Sequence, residues 1–407
     1  MQRSQGTVPV RVRRFVKETK VKITSIKPLI VNANMRNWIF VKVETDEPGL
    51  YGWGEATLEW KTRTVAGAID DLAELLVGED PLRIEHLYQM AYRQHFWKVG
   101  IEGMSAISGI EQALWDIKGK HLGVPVYELL GGRVRDKVRV DKHSGGGQMK
   151  DMYERVDPAE FAETALVVKE MGYTALKFMA VPRTEPVEGV QSVRHAAKVV
   201  EAVREAVGPE MDLMVDLHAR TWPAMAIQYC HALEPYGLLF FEEPCPTEDI
   251  EATAQVTRQS RIPIATGERL VTRYQFRELF EKRAAHIIQP DLTHCGGLWE
   301  ARKIAAQAEA YSIAVAPHNP NGPISTAVTV HYALSTPNWI IQEMLTSDVP
   351  WRNDVLINPS VVENGYIMPP TLPGLGIDVN EKEAAKHPFK QEAEQRYFHP
   401  DGAVADW

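Results

Sequence analysis

From about residue 137 onward this 407-residue chain repeats one pattern eight times. A short apolar run ends in polar or charged residues, and a segment of helical character separates most runs from the next. The runs are VRVDKH ending at His143, ALKF starting at Ala175, DLMVDLH ending at His218 and LLFFEEP ending at Pro244. They continue with PIATGE ending at Glu268, HIIQPD ending at Asp291, IAVAPH ending at His318 and IIQE ending at Glu343. Residues 196–207 and 299–310, rich in Ala, Glu, Lys and Arg, are clear helical separators. Eight strands alternating with helices predict an α/β fold with a parallel sheet closed into a TIM-like barrel. Such barrels carry their chemistry at the C-terminal ends of the strands. Here those ends hold Lys, Asp, Glu and His again and again.

The preceding stretch reads differently. Residues 21–57 look like strands, and Ile107, Ile110, Leu114 and Ile117 fall on one helical face closed by Gly123 and Pro125. The expected organisation is a basic flexible tail over 1–20, an α+β capping domain over 21–135 and the barrel over 136–369. A C-terminal segment, 370–407, is expected to pack back on the cap.

Three carboxylates end consecutive runs: Asp216, Glu242 and Glu268, each 26 residues after the one before. One β/α unit has about that length, so equal spacing predicts three carboxylates converging at the barrel mouth. They would repel one another without a cation, and hard Mg²⁺ suits an all-oxygen set. As isolated residues they would read as helix caps. Glu243 competes with Glu242, but successive strand residues face opposite sides and the spacing favours Glu242.

The acid–base candidates flank this triad. His218 lies two residues after Asp216 and shares its face if the strand persists; a surface-loop histidine is the plain alternative. Asp291 and His318 end neighbouring runs, an arrangement in which a carboxylate orients an imidazole and raises its basicity. Glu343 and Lys177 end the eighth and second runs and suit contacts to a substrate carboxylate; a salt bridge at the mouth and a solvent-facing lysine are their bland counterparts. His143 precedes a glycine-rich loop, as a substrate contact or an ordinary loop residue.

The net charge of −9 gives no basic surface for nucleic acid, and no apolar run is long enough to span a membrane. Three cysteines without metal or disulfide spacing predict reduced thiols in a cytoplasmic protein.

The stretches YGWGEA at 51–56, MSAISGIEQALWDIKGK at 104–120, VDLHAR at 215–220, FFEEP at 240–244, ATGERL at 265–270, IIQPDLTHCGG at 287–297 and APHNPNGP at 316–323 together resemble the enolase superfamily. The similarity is to its mandelate racemase-like subgroup, and within that to acid-sugar dehydratases of the D-galactonate dehydratase type. It covers nearly the whole chain after residue 20. The resemblance implies a modified (β/α)7β barrel with a cap that covers the mouth, one Mg²⁺ on Asp216, Glu242 and Glu268, a base dyad of Asp291 and His318, and His218 as the distinguishing histidine. It also implies Lys177 and Glu343 at the substrate carboxylate and a homo-oligomer.

Trp38, Glu59 and Trp60, near the cap's expected mouth loops, are candidates for the distal end of an acid sugar. Racemases of the subgroup carry Lys-x-Lys on the second strand; here the second position is Met179, which cannot act as a base. The expected reaction is therefore loss of the C2 proton and the 3-hydroxyl to give a 2-keto-3-deoxy acid. An epimerase or cycloisomerase of the same scaffold, or an inactive acid-sugar-binding protein, are the alternatives.

Overall fold

The computed structural model describes residues 21–145, 155–181, 185–346, 348–393, 396–399 and 401–406. The basic tail over 1–20 and most of the loop after His143 lie outside the described residues. The described chain opens with an antiparallel sheet of β1 (Ile23–Ala33), β2 (Arg36–Thr45) and β3 (Tyr51–Glu55). Helices α1 (Thr62–Leu76), α2 (Ile84–Arg93) and α3 (Ile101–Leu122) follow. The glycines of YGWGE have a packing reason. A Cβ on Gly52 would sit 2.1 Å from the Ala113 carbonyl oxygen, and one on Gly54 would sit 1.9 Å from that of Gly109. Only glycine lets α3 lie this close to β3.

Residues 38–41 of β2 are all fully buried. This corrects the expectation for Trp38. Its ring stacks on Phe40 at 5.9 Å and lies 5.5 Å from the Arg352 guanidinium, inside the core and away from the mouth.

The barrel sheet runs β4 (Lys142–His143), β5 (Ala175–Phe178), β6 (Asp212–Asp216), β7 (Phe240–Glu242), β8 (Ile264–Thr266), β9 (Ile287–Ile288) and β10 (Ala314–Val315), parallel and in sequence order. The eighth run closes the ring through two parallel bridges, Val140 to Gln342 and Val315 to Trp339. The first run, read as one strand, divides: Val138–Arg139 pairs instead with Tyr366–Ile367. Ala175, Met214, Phe240, Ala265, Ile287, Ala316 and Ile341 form an apolar cluster of their own, drawn from successive strands. They plug the barrel interior, so a ligand reaches the polar strand ends and no farther.

Helices α4 (Pro158–Glu170), α5 (Val190–Val207), α6 (Pro223–Leu233), α7 (Ile250–Gln259), α8 (Thr272–Lys282), α9 (Leu298–Ala310) and α10 (Pro323–Ser335) follow the seven strands in turn. α5 shows why they pack outside. Val193, Ala196, Val199, Val200, Val203 and Val207 make one buried stripe at helical spacing. Among the described residues no helix is long and apolar enough to cross a membrane.

Buried carboxylates of the N-terminal unit hold the barrel helices. Glu55 accepts the N–H groups of Gly322 at 2.6 Å and Ser325 at 2.8 Å, at the start of α10. Glu111 accepts those of Leu298 at 2.8 Å and Trp299 at 3.0 Å, at the start of α9. Each places carboxylate oxygens where a helix end is positive and its N–H groups need acceptors. Segment 370–407 also touches the N-terminal unit. Leu375 donates its N–H to Asp116, Trp53 donates to Asp378, and Asn37 donates to the Lys390 carbonyl. Replacing Glu55 by Ala strands two buried donors, and we expect a loss of about 3 kcal/mol. A thermal unfolding scan checks this; an unchanged midpoint would contradict it.

Candidate active site

A cavity of about 290 Å³ opens at the C-terminal ends of the strands. His143, Asp216, His218, Glu268, His318 and Glu343 line its barrel side, and Met35, Arg36, Leu58, Glu59 and Trp60 line its other side. The register explains the first triad member pair: Asp216 and Glu242 face one another as the last residues of β6 and β7. Glu268 arrives differently. It lies two residues beyond β8, after Gly267 at φ +130°. A Cβ there would approach the Phe276 ring to 2.8 Å, so the turn that carries Glu268 needs glycine.

Asp216, Glu242 and Glu268 each bring one oxygen within 4.8 Å of the others. Glu242 Oε2 and Glu268 Oε2 are buried and have no hydrogen-bond partner. Burial and the Asp216 charge push Glu242 well above the ordinary carboxylate range. Two buried carboxylate oxygens without partners, in a triad whose oxygens gather within 4.8 Å, fit a hard divalent cation bound by oxygen. Glu243 is turned away at φ +41° and pairs with Arg269 Nε at 3.1 Å.

Lys177, on β5, is buried beside the triad. Its Nζ lies 2.9 Å from Glu242 Oε1 and 2.8 Å from Glu343 Oε1. Burial alone would lower it, but the carboxylates of Glu242, Glu343 and Asp216 hold it well above its usual value. Glu343 also accepts the Asn319 N–H at 3.0 Å. Burial would raise Glu343, but Lys177, His318 and His143 hold it near about 2, so it is a carboxylate paired with lysine. His143 is buried, and its Nδ1 accepts the Gly145 N–H at 3.1 Å. Burial and the Lys177 charge lower it to about 4. A neutral ring accepting at Nδ1 carries its proton on Nε2.

His318 Nδ1 meets Asp291 Oδ2 at 2.8 Å, and its Nε2 points toward Glu268 Oε2 at 3.7 Å. Burial would raise Asp291, yet the His294 and His318 imidazoles and the Thr293 N–H bring it down to about 2. A carboxylate on Nδ1 leaves Nε2 as the working nitrogen. His218 reaches the triad by a route other than a continued strand. β6 ends at Asp216, and His218 and Ala219 turn left-handed at φ +50° and +57°. The turn still brings His218 Nε2 to 3.1 Å from Asp216 Oδ2. Two imidazoles from different strand ends thus flank three carboxylates.

Two families match this chain. "Mandelate racemase / muconate lactonizing enzyme, N-terminal domain" covers residues 13–131, and "Enolase C-terminal domain-like" covers 159–383. The chain belongs to the enolase superfamily. Its similar relatives include a D-galactonate dehydratase of Ralstonia nicotianae, 40% identical over 380 residues, 91% of this chain and 96% of the relative. A D-galactonate dehydratase of Pectobacterium atrosepticum is 40% identical over 381 residues, with the same coverage of 91% and 96%. Among solved structures, an enolase superfamily member from Salmonella typhimurium aligns at TM-score 0.85 and 32% identity, over 90% of this chain and 98% of its own. An enolase from Agrobacterium radiobacter, with sodium and L-malate bound in an ordered active site, aligns at TM-score 0.85 and 32% identity, over 94% and 99%.

Two arginines of this site are not among the residues expected from the sequence. Arg36 lines the cavity, pairs with Glu59 and donates to the Pro320 carbonyl at 2.9 Å. Arg269 lines it too and donates to the His218 carbonyl at 2.9 Å. Arg269 had a usable signal, since it follows Glu268 directly. Arg36 had none, because its partners are remote in the chain.

Proposed function

We propose that this chain is a Mg²⁺-dependent dehydratase of acid sugars, of the D-galactonate dehydratase type. The carrying observation is the pair His218 and His318, brought by two strand ends to opposite flanks of Asp216, Glu242 and Glu268. A dehydration of this kind needs a base for the C2 proton and an acid for the departing 3-hydroxyl, and simple binding needs neither. Asp216, Glu242 and Glu268 would hold one Mg²⁺, which supplies positive charge against the oxygens that gain electron density as C2 is deprotonated. Lys177 and Glu343 set the polarity where the substrate carboxylate sits. His318 Nε2 takes the C2 proton while Asp291 keeps Nδ1–H oriented. His218 gives a proton to the 3-hydroxyl, which leaves as water. The enol so formed tautomerises to a 2-keto-3-deoxy acid.

His143 offers an Nε2–H donor to the substrate, and Trp60, with Nε1 held by the Ala393 carbonyl at 3.1 Å, forms part of the distal wall. The buried thiols Cys230, Cys245 and Cys295 suit a cytoplasmic setting, and a homo-oligomer belongs to the same reading. Incubating the protein with Mg²⁺ and a library of acid sugars tests the proposal. The expected result is a semicarbazide-reactive keto acid from at least one aldonate. Epimerised acid without keto product, or no turnover across the library, would reject it.

A further inference from the structure

We propose that Asn321, outside the cavity wall, is a positioning residue for proton abstraction: it aims the Asp291 carboxylate that orients His318. The inference rests on the reading of His318 as base. Asn321 is fully buried, and its Nδ2 lies 2.8 Å from Asp291 Oδ2, the same oxygen that meets His318 Nδ1 at 2.8 Å. The other oxygen, Oδ1, takes the Thr293 N–H at 2.6 Å. Both oxygens of this carboxylate are thereby held by donors.

The amide orientation follows from chemistry. Turned over, Asn321 would press an acceptor oxygen against a carboxylate. As it stands, Asn321 Oδ1 is buried and without a hydrogen-bond partner. A buried amide oxygen left unpaired costs free energy, and an apolar side chain of similar size would avoid that cost. The Nδ2 contact to Asp291 is the compensating gain, with a second contact to Thr293 Oγ1 at 3.2 Å.

The backbone holds Asn321 as firmly as its side chain holds Asp291. Three successive residues of the turn are gripped by three distant elements. The Pro320 carbonyl accepts from Arg36 at 2.9 Å, the Asn321 carbonyl accepts from Arg352 at 2.8 Å, and the Gly322 N–H donates to Glu55 at 2.6 Å. A side chain mounted this rigidly can fix a neighbour's direction to a fraction of an ångström, which is what pre-organised acid–base chemistry requires. Asn321 is absent from the cavity lining, so its loss should alter the reaction step and spare substrate binding.

The test compares Asn321→Asp, which keeps the shape but faces Asp291 with an acceptor, and Asn321→Ser, which keeps a shorter donor, with His318→Asn alongside. We measure kcat, KM, exchange of the C2 proton with D₂O, and the melting midpoint in Mg²⁺. Asn321→Asp should lower kcat and C2 exchange together by about ten- to a hundredfold with KM nearly unchanged. Asn321→Ser should fall between that variant and wild type, and it carries the test if Asn321→Asp does not fold. Wild-type kcat and exchange in Asn321→Asp would overturn the inference. So would parallel losses in kcat, KM and melting midpoint in both variants, the mark of a merely structural residue. If His318→Asn itself still exchanges the C2 proton, the base assignment has failed. If His318→Asn stops exchange and Asn321→Asp leaves it at the wild-type rate, only the role of Asn321 has failed.

Discussion

His318→Asn abolishes exchange of the substrate's C2 proton with D₂O and lowers dehydration by roughly a thousandfold, the scale of a lost general base. The substitution is gentle on structure. An Asn amide can still donate to Asp291 where the imidazole Nδ1 donated at 2.8 Å, so the buried carboxylate keeps a partner. What disappears is Nε2, the nitrogen that points toward Glu268 at 3.7 Å and into the cavity. Substrate affinity should change little, because the carboxylate end of the site remains. NMR of the recovered substrate reads the exchange directly. Exchange at the wild-type rate would show that another group takes the proton.

Glu242→Gln should abolish the stabilisation that Mg²⁺ gives at the proposed metal site. Its Oε2 is one of the two orphaned carboxylate oxygens of the triad, and its Oε1 is committed to Lys177 at 2.9 Å. The amide keeps the volume and loses the charge that a hard cation needs most. Wild type should gain about 2.7 kcal/mol of stability when Mg²⁺ reaches a hundred times its dissociation constant. The variant should show no such gain at the same concentration, and its turnover should fall to background. Calorimetric melting with and without Mg²⁺ separates this from a folding defect. An undiminished rise in midpoint would remove Glu242 from the ligand set.

The parts of the site that were legible in the sequence share one property. Asp216, Glu242, Asp291, His318 and Glu343 sit at or just beyond strand ends, so a local pattern and an even spacing point to them. Glu268 was reached by the same spacing, although a glycine turn delivers it from beyond its strand. His218 was reached with the wrong local geometry, since its strand stops two residues earlier. Trp38 is a core residue because closeness to a mouth loop in sequence says nothing about where a side chain of the buried run 38–41 points. Arg36 and Asn321 were invisible for the opposite reason. Arg36 finds Pro320 across 284 residues, and the value of Asn321 exists only once Asp291, 30 residues away, is in place. The eighth run was legible as apolar sequence, but its role in closing the ring through two bridges depends on the strands either side.

Glu55 and Glu111 carry a consequence for how such an enzyme can diversify. Because they terminate barrel helices from the N-terminal unit, that unit is not an exchangeable module: a transplanted replacement would have to bring carboxylates to the same two helix ends or leave them bare. The segments around Met35–Arg36 and Leu58–Trp60 face the cavity, and neither supplies the carboxylates at those helix ends. New substrate ranges are therefore expected to arise by rewriting these short loops on a permanently mated scaffold, with the docking surface inherited unchanged.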